Sequence, residues 1–462
     1  MDEWTPSSRD RGGDWARGAM EREAERLSPE PPVAPRPSAG EGDRGARGLL
    51  RLATIDLGPL RRRREFRLLF IGQGTSFFGS MISSVAVPFQ VYALTHSSLA
   101  VGLLGLTELI PLLTFAFLGG LLADANDRRR MVQGTELAFA VMAGLLAVNA
   151  ALAHPAVWLL YVVAAVKAGL DALQRPSLDA LLPRLVERDE LAAAGALSSF
   201  RGTVGQVAGP ALGGVLIATV GLSGAYAVDV ATFVVSLAAL RLMRATPPSP
   251  DAAAPSLRRV VEGLRYARSR PELIGAYVVD IVAMFFGMPL ALFPAIAAGL
   301  GGPGVLGLLY AAPAVGALVA TGTSGWTARV HHHGRAVLAA ACGWGLAIVL
   351  FGLAPSPPLA LFFLACAGGA DAVSGLFRSL IWNETIPDAL RGRLASIELL
   401  SYSSGPLLGD VESGGVAAAF GVGAAVVSGG VLCVLGVAVL ALALPRFRDY
   451  DGRAHRKADA GG

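Results

Sequence analysis

Charge is what this 462-residue sequence lacks once its first 65 residues are passed. Those 65 hold 25 of the 74 Lys, Arg, Asp and Glu residues, leaving 49 among the remaining 397, about 12%. Soluble domains carry about a quarter of their residues as charges, and the mean hydropathy here is +0.54. A soluble enzyme is excluded. Cysteine is scarce as well: Cys342, Cys366 and Cys433 each fall in an apolar segment without a CxxC pair, which leaves neither a disulfide framework nor a cysteine metal site. No HExxH, Ser/His/Asp arrangement or GxxxxGK[ST] loop occurs, so no metal, cofactor or ATP-driven pump chemistry is expected. Residues 1–50 lack the apolar stretch of a cleavable signal peptide. The sequence pI of about 9.1 comes from arginines between apolar segments, not from a basic stripe with aromatics, so nucleic acid is not an expected partner.

What is present is length in apolar runs. Twelve candidate spans run over 66–94, 99–123, 131–153, 156–182, 195–219, 223–243, 272–298, 304–327, 335–354, 358–385, 394–419 and 423–444. A helix needs about 20 residues to cross a hydrocarbon core of about 30 Å. The connections alternate. One set holds the arginine clusters Arg61–Arg64, Arg128–Arg130, Arg391 with Arg393, and Arg446 with Arg448; the other, typified by Thr95-His96-Ser97-Ser98 and Pro355 to Pro358, has no Lys, Arg, Asp or Glu. The positive-inside bias therefore predicts an all-α polytopic protein of the cytoplasmic membrane with both termini in the cytoplasm. Residues 1–65 read as a disordered tail. The other divisions are a six-helix half over 66–243, a linker over 244–271 with an amphipathic helix, a second half over 272–444, and a tail over 445–462. The halves echo each other: Ala168-Gly-Leu-Asp171-Ala matches Gly368-Gly-Ala-Asp371-Ala, and Gly209-Pro210 matches Gly405-Pro406. Such a repeat is the mark of transporters that handle substrate between two similar halves.

Ionisable residues within a span are expensive and become candidates for function. Lys167 and Asp171 stand one helical turn apart in span 4 and are expected to pair, either as a structural ion pair or as one that substrate or a proton breaks. Asp371 in span 10 has no expected partner in its own helix. Asp280 in span 7 and Asp229 in span 6 complete the strongest set, with Glu108, Arg201, Asp410 and Glu412 behind them. An isolated carboxylate in a low-dielectric span gains by taking a proton, so such acids suit a proton pathway.

The loop after span 2, Gly119-Gly120-Leu-Leu-Ala-Asp124-Ala-Asn-Asp127-Arg128-Arg129-Arg130, combines small residues with a carboxylate and a basic run. It is expected to act as a cytosolic gate, in which Gly120 permits close approach and Asp124, Asp127 and the three arginines latch the halves. Gly205, Gly209 and Gly213, with Pro210, make a close-packing helix face and a bend. His331-His332-His333 is expected to be a solvated substitute for the arginine run of the first half.

Several segments are similar to the major facilitator superfamily, within it the branch of enterobactin (siderophore) exporters and macrolide-efflux proteins. Ile71-Gly-Gln73-Gly-Thr-Ser76-Phe-Phe-Gly79 resembles that branch's first span, and Gly120 to Arg130 its loop 2–3 motif, with Ala125 where arginine is common. Asp280 to Pro294 resembles its span 7, and Gly369 to Ser379 its span 10. The resemblance implies the twelve-helix major facilitator fold and adds Gln73 to the substrate or proton pathway. It also implies a monomer in the lipid bilayer that exports a hydrophobic or amphipathic small molecule. A siderophore is the expected cargo, moved by proton antiport with alternating access and no cofactor. A drug or macrolide pump, and a non-transporting receptor of the same fold, are the alternatives.

Overall fold

In lipid no water completes the hydrogen bonds of an open backbone, so the chain satisfies them within helices. A computed structural model describes residues 56–125, 127–244 and 265–453, and all the regular structure among them is helical. Most of the expected tail over 1–65, most of the linker over 244–271 and the end of the chain after residue 453 lie outside the described residues.

After a short helix, Gly58–Arg62, the long helices are α1 Arg64–Thr95, α2 Ser98–Ala125, α3 Arg128–Ala151, α4 Val157–Leu185 and α5 Leu191–Leu242. Then follow α6 Pro271–Gly287, α7 Phe293–Leu300, α8 Pro303–Gly322, α9 His333–Gly352, α10 Pro357–Thr385, α11 Asp388–Phe420, α12 Val422–Ala443 and the short α13 Pro445–Arg448. Ten stretches among the described residues are long and apolar enough to cross a membrane. The expected count is twelve, and the difference has two sources. Expected spans 5 and 6 follow one another with no loop between them and so count as one stretch, α5, but Gly221 takes the non-helical angles φ +74° and ψ 177° and divides it into two helices. Span 11 lies in α11, which is not among the ten and which carries Glu398, Asp410 and Glu412. Expected span 7 is also not a single helix. It breaks after Gly287, where Pro289 lacks an amide hydrogen, passes through a 3-10 turn at Leu290–Leu292 and resumes as α7.

Large apolar side chains face outward as well as inward: Phe420 is 76% exposed and Leu442 77%. A water-soluble protein does not present such a surface at this scale; lipid tails cover it at no cost. Within the bundle α1 packs on α5, α2 on α4, and α3 on both α4 and α5. The later helices group likewise, α10 against α8 and α9, and α6 against α11 and α12. The two most extensive contacts between the groups are α2 on α11 and α5 on α8. Both are made by glycine. A Cβ on Gly102 or Gly105 of α2 would strike the backbone of Asp410 or Leu407, and one on Gly214 of α5 or Gly307 of α8 would strike the facing backbone. These glycines lie toward the ends joined by the charge-free loops, so the two groups touch backbone to backbone there.

The glycine stripe of α5 has a different partner. Gly205 meets Phe77, Gly209 meets Met81, and Gly213 meets the Ile82 backbone, all on α1. Pro210 lies on the neighbouring face with Gly214 and turns its carbonyl toward Gly307 of α8.

The segment from Pro445 to Gly452 is strapped across the arginine-bearing ends of α6, α9 and α10. Phe447 is fully buried against Gly275 and Gly334, whose missing Cβ atoms make room for it. Tyr450 donates to Glu384 Oε2 at 3.3 Å, the Gly452 amide donates to the His331 carbonyl at 3.1 Å, and Arg335 Nη2 donates to Asp449 Oδ1 at 2.9 Å. The guanidiniums of Arg448 and Arg335 hold the Asp449 carboxyl down at about 2. His333 departs from its expected solvated role: it is 2% exposed, with Nδ1 3.4 Å from Glu384 Oε2 and its ring between Phe377 and Tyr450. Phe447→Ala should cost about 3 kcal/mol of stability, as truncations of fully buried aromatics do. Thermal unfolding of the detergent-solubilised protein checks this, and an unchanged midpoint would mean that the strap is not a structural clamp.

Candidate functional site

The groups of helices enclose a cavity of about 740 Å³, within the size range of small-molecule sites. Its wall runs from Val101, Gly105, Ala291 and Tyr310 near the glycine contacts to Gln174, Arg175, Asp179 and Arg201 toward the arginine-bearing ends. Ionisable side chains punctuate a largely apolar lining, and the structure distributes them in ways that helical spacing alone did not indicate.

Lys167 does not pair with Asp171. Its Nζ lies 3.8 Å from Asp229 Oδ2 on α5. Asp229 is fully buried and also accepts hydrogen bonds from Ser83 and Thr232. Asp171 is instead exposed on the cavity wall, where water can hydrate it. The ammonium therefore goes to the carboxylate that has no water of its own.

Asp280 and Asp371 are not lone acids either. Arg378, seven residues beyond Asp371 on the same face of α10, forms an ion pair with Asp280 and places Nη2 3.5 Å from Asp371 Oδ1. The i, i+7 spacing was visible in the sequence, but the reach across to α6 was not. Asp280 and Arg378 line a second cavity of about 210 Å³ with Tyr277, Trp382, Glu398 and Tyr402. The two cavities have no lining residue in common. Between them the Arg175 guanidinium of α4 sits 5.9 Å from the Tyr402 ring of α11, a cation–π contact between the helix groups.

Gln73 leads to a residue that sequence reasoning missed. Glu136 of α3 is 1% exposed, and its Oε1 accepts from Gln73 Nε2 at 2.8 Å, Gln174 Nε2 at 3.1 Å and Ser76 Oγ at 3.2 Å. Four side chains from α1, α3 and α4 thereby meet at one oxygen on the cavity wall. Glu136 follows the Arg128–Arg130 run closely enough to read as the flank of a loop, although the rule that flagged the other intramembrane acids applied to it. Asp410 also has a partner: Oδ1 accepts the Ala291 amide at 3.0 Å, satisfying a donor freed by the break between α6 and α7. Glu108 lies on the same cavity wall as Asp410.

Of the expected gate, the side chains of Gly120 and Asp124 lie outside the described residues. Asp127 caps α3, its Oδ1 accepting the amides of Arg129 at 2.9 Å and Arg130 at 3.4 Å. Arg129 donates to the Leu240 and Arg241 carbonyls, each at 2.8 Å, so it caps the C-terminus of α5 within its own helix group. Arg128 is buried.

A family model described as transmembrane secretion effector matches residues 54–460. The chain belongs to that family. Its members are major facilitator transporters, so this chain is a multi-pass membrane transporter and not an enzyme. Among similar curated proteins are the enterobactin exporters EntS of Citrobacter koseri and Shigella boydii, each 30% identical over 398 residues, 85% of this chain and 96% of the relative. The fold is shared with solved transporters. A nucleoside transporter, NupG, superposes with a TM-score of 0.68 at 12% identity over 82% of this chain and 99% of that one. A D-xylose–proton symporter superposes with 0.62 at 15% identity over 81% and 96%.

For this transporter the Lys167–Asp229 pair makes a sharp test of buried charge. Lys167→Met leaves Asp229 unanswered and should cost about 3 kcal/mol. Adding Asp229→Asn should return most of that stability. A double-mutant cycle on thermal unfolding reads both, and additive losses would mean that the two groups do not interact.

Proposed function

We propose that this chain exports an amphipathic small molecule, of the siderophore class, from the cytosol in exchange for protons, by alternating access. The observation that carries this reading is the large cavity, walled by both helix groups and pinched shut by glycine at the charge-free end. With arginine-rich loops and both termini assigned to the cytosol, that cavity is the one a cytosolic substrate would enter. The exporter relatives, matched over nearly their whole length, support the same cargo class.

The coupling residues we assign are Asp280 and Asp371, which share Arg378. With both acids ionised, one arginine answers two negative charges. A proton taken from outside by either acid leaves a neutral carboxyl and a matched ion pair. Release of that proton to the cytosol restores the strained charge balance and resets the cycle. Lys167 with Asp229, Asp171, Glu108 and Gln73 shape the substrate cavity. Asp124 and the arginines after it latch the cytosolic side when the outer side opens. The proton gradient is the only energy source, no cofactor takes part, and the monomer in its bilayer is the working unit.

Reconstitution in vesicles with an imposed pH gradient tests this. Enterobactin should move with the gradient and dissipate it, and Asp280→Asn should lower that coupled flux at least tenfold with folding intact. If neither a siderophore nor a drug moves, or both Asp280→Asn and Asp371→Asn retain full coupled flux, the antiport assignment fails. Mass spectrometry of spent medium from an iron-starved strain lacking the gene identifies the cargo. Lowered extracellular siderophore is the expected result; an unchanged level would turn the assignment to drug or macrolide efflux.

A further inference from the structure

Three cations line the large cavity: Lys167, Arg175 and Arg201. Two of them are answered. Lys167 has Asp229. Arg175 has Asp171 and Asp179 one turn away on either side and the Tyr402 ring across the interface. Arg201 has no carboxylate within ion-pair distance among the described residues, and its Nε is buried without a hydrogen-bond partner. Glu136, on the same cavity wall, gives its Oε1 to Gln73, Ser76 and Gln174 and not to Arg201.

Burying a guanidinium without a counter-charge is costly, yet the surrounding residues make room for this one. Gly74 on α1 faces it, where an added Cβ would stand 3.2 Å from Arg201 Cδ. The Phe70 ring lies 5.9 Å from the guanidinium carbon. One turn deeper on the same face of α5, Gly205 packs on the Phe77 ring, which also lines the cavity. A cation near the arginine-bearing end is therefore followed by an aromatic surface further in.

We propose that Arg201 is a substrate subsite that takes a planar anionic oxygen group, a carboxylate or catecholate, while the molecule's apolar or aryl part lies against Phe77. Arginine's flat fork of donors matches two oxygens at once, and a bound anion supplies both the missing counter-charge and the missing acceptor. The orphan guanidinium is then a vacancy for cargo rather than a flaw in packing. This rests on the export reading of the cavity and narrows it: of the amphipathic molecules that the volume admits, those with an anionic oxygen pair are favoured.

The test is binding of 1-pyrenebutyrate and its methyl ester to the purified full-length protein, followed by pyrene fluorescence. The wild type should bind the acid about tenfold more tightly than the ester, the worth of one charge-assisted contact. Arg201→Gln should bring the ratio close to one with the ester's affinity unchanged, which shows that the cavity is still folded, and Arg201→Lys should retain part of the preference. No preference in the wild type, or a preference that survives Arg201→Gln, overturns the assignment. Because the measurement needs no transport, its outcome is separate from that of the vesicle experiment. A protein that prefers the acid yet moves nothing keeps the subsite and loses the exporter.

Discussion

A carboxylate or ammonium drawn into hydrocarbon gives up hydration worth several kcal/mol, and only another group of the protein can return it. Most of the polar interior of this transporter follows from that constraint. Asp229, fully enclosed, is met by Lys167, Ser83 and Thr232. Glu136 gathers three donors onto one oxygen. Asp410 takes the amide that the break at Pro289 leaves open. Asp280 and Asp371 divide one arginine between them. Arg201, on the wall of the large cavity, has no carboxylate at ion-pair distance among the described residues, and it lies where a ligand can reach it.

The layout of spans was legible in the sequence because it depends on one-dimensional quantities: the length of apolar runs and the side on which arginine collects. Even the break in span 7 was written there, as Gly287-Met288-Pro289. Pairing was not legible in the same way. Helical spacing offers Lys167 a partner at Asp171, but spacing says nothing about which carboxylate keeps its water. Asp171 faces the cavity and Asp229 does not, so desolvation selects the partner on another helix. Arg378 likewise sits two turns from Asp371, which the spacing shows, while its stronger bond to Asp280 depends on how α6 lies against α10. Glu136 was hidden by its neighbours, since an acid beside three arginines looks like part of a loop.

Charge and contact are also divided between the two kinds of interface. Between described residues, the ion pairs inside the membrane region, Lys167–Asp229 and Arg378 with Asp280 and Asp371, lie within one helix group or the other. The seams between groups, α2 on α11 and α5 on α8, are glycine against backbone. An ion pair broken in a low dielectric leaves two unanswered charges, whereas parted glycine faces lose only dispersion contacts that lipid, water or substrate replaces. The proposed alternating-access cycle is better served by charged contacts inside each helix group and uncharged contacts where the groups would separate.

The Arg175–Tyr402 contact fits the same division, although it does cross between the groups. A guanidinium over an aromatic face is held by the ring's quadrupole and is worth about 0.5–2 kcal/mol, far less than a buried ion pair. It can part without stranding a countercharge, because Asp171 and Asp179 flank Arg175 on its own helix and stay with it. Tyr402 is then left on the wall of the second cavity beside Glu398 and Arg378. Movement at this seam therefore changes the surroundings of Asp280 and Arg378 directly. Two cavities with no wall residue in common are linked through one ring, and the strength of that link is small enough for substrate binding to overcome.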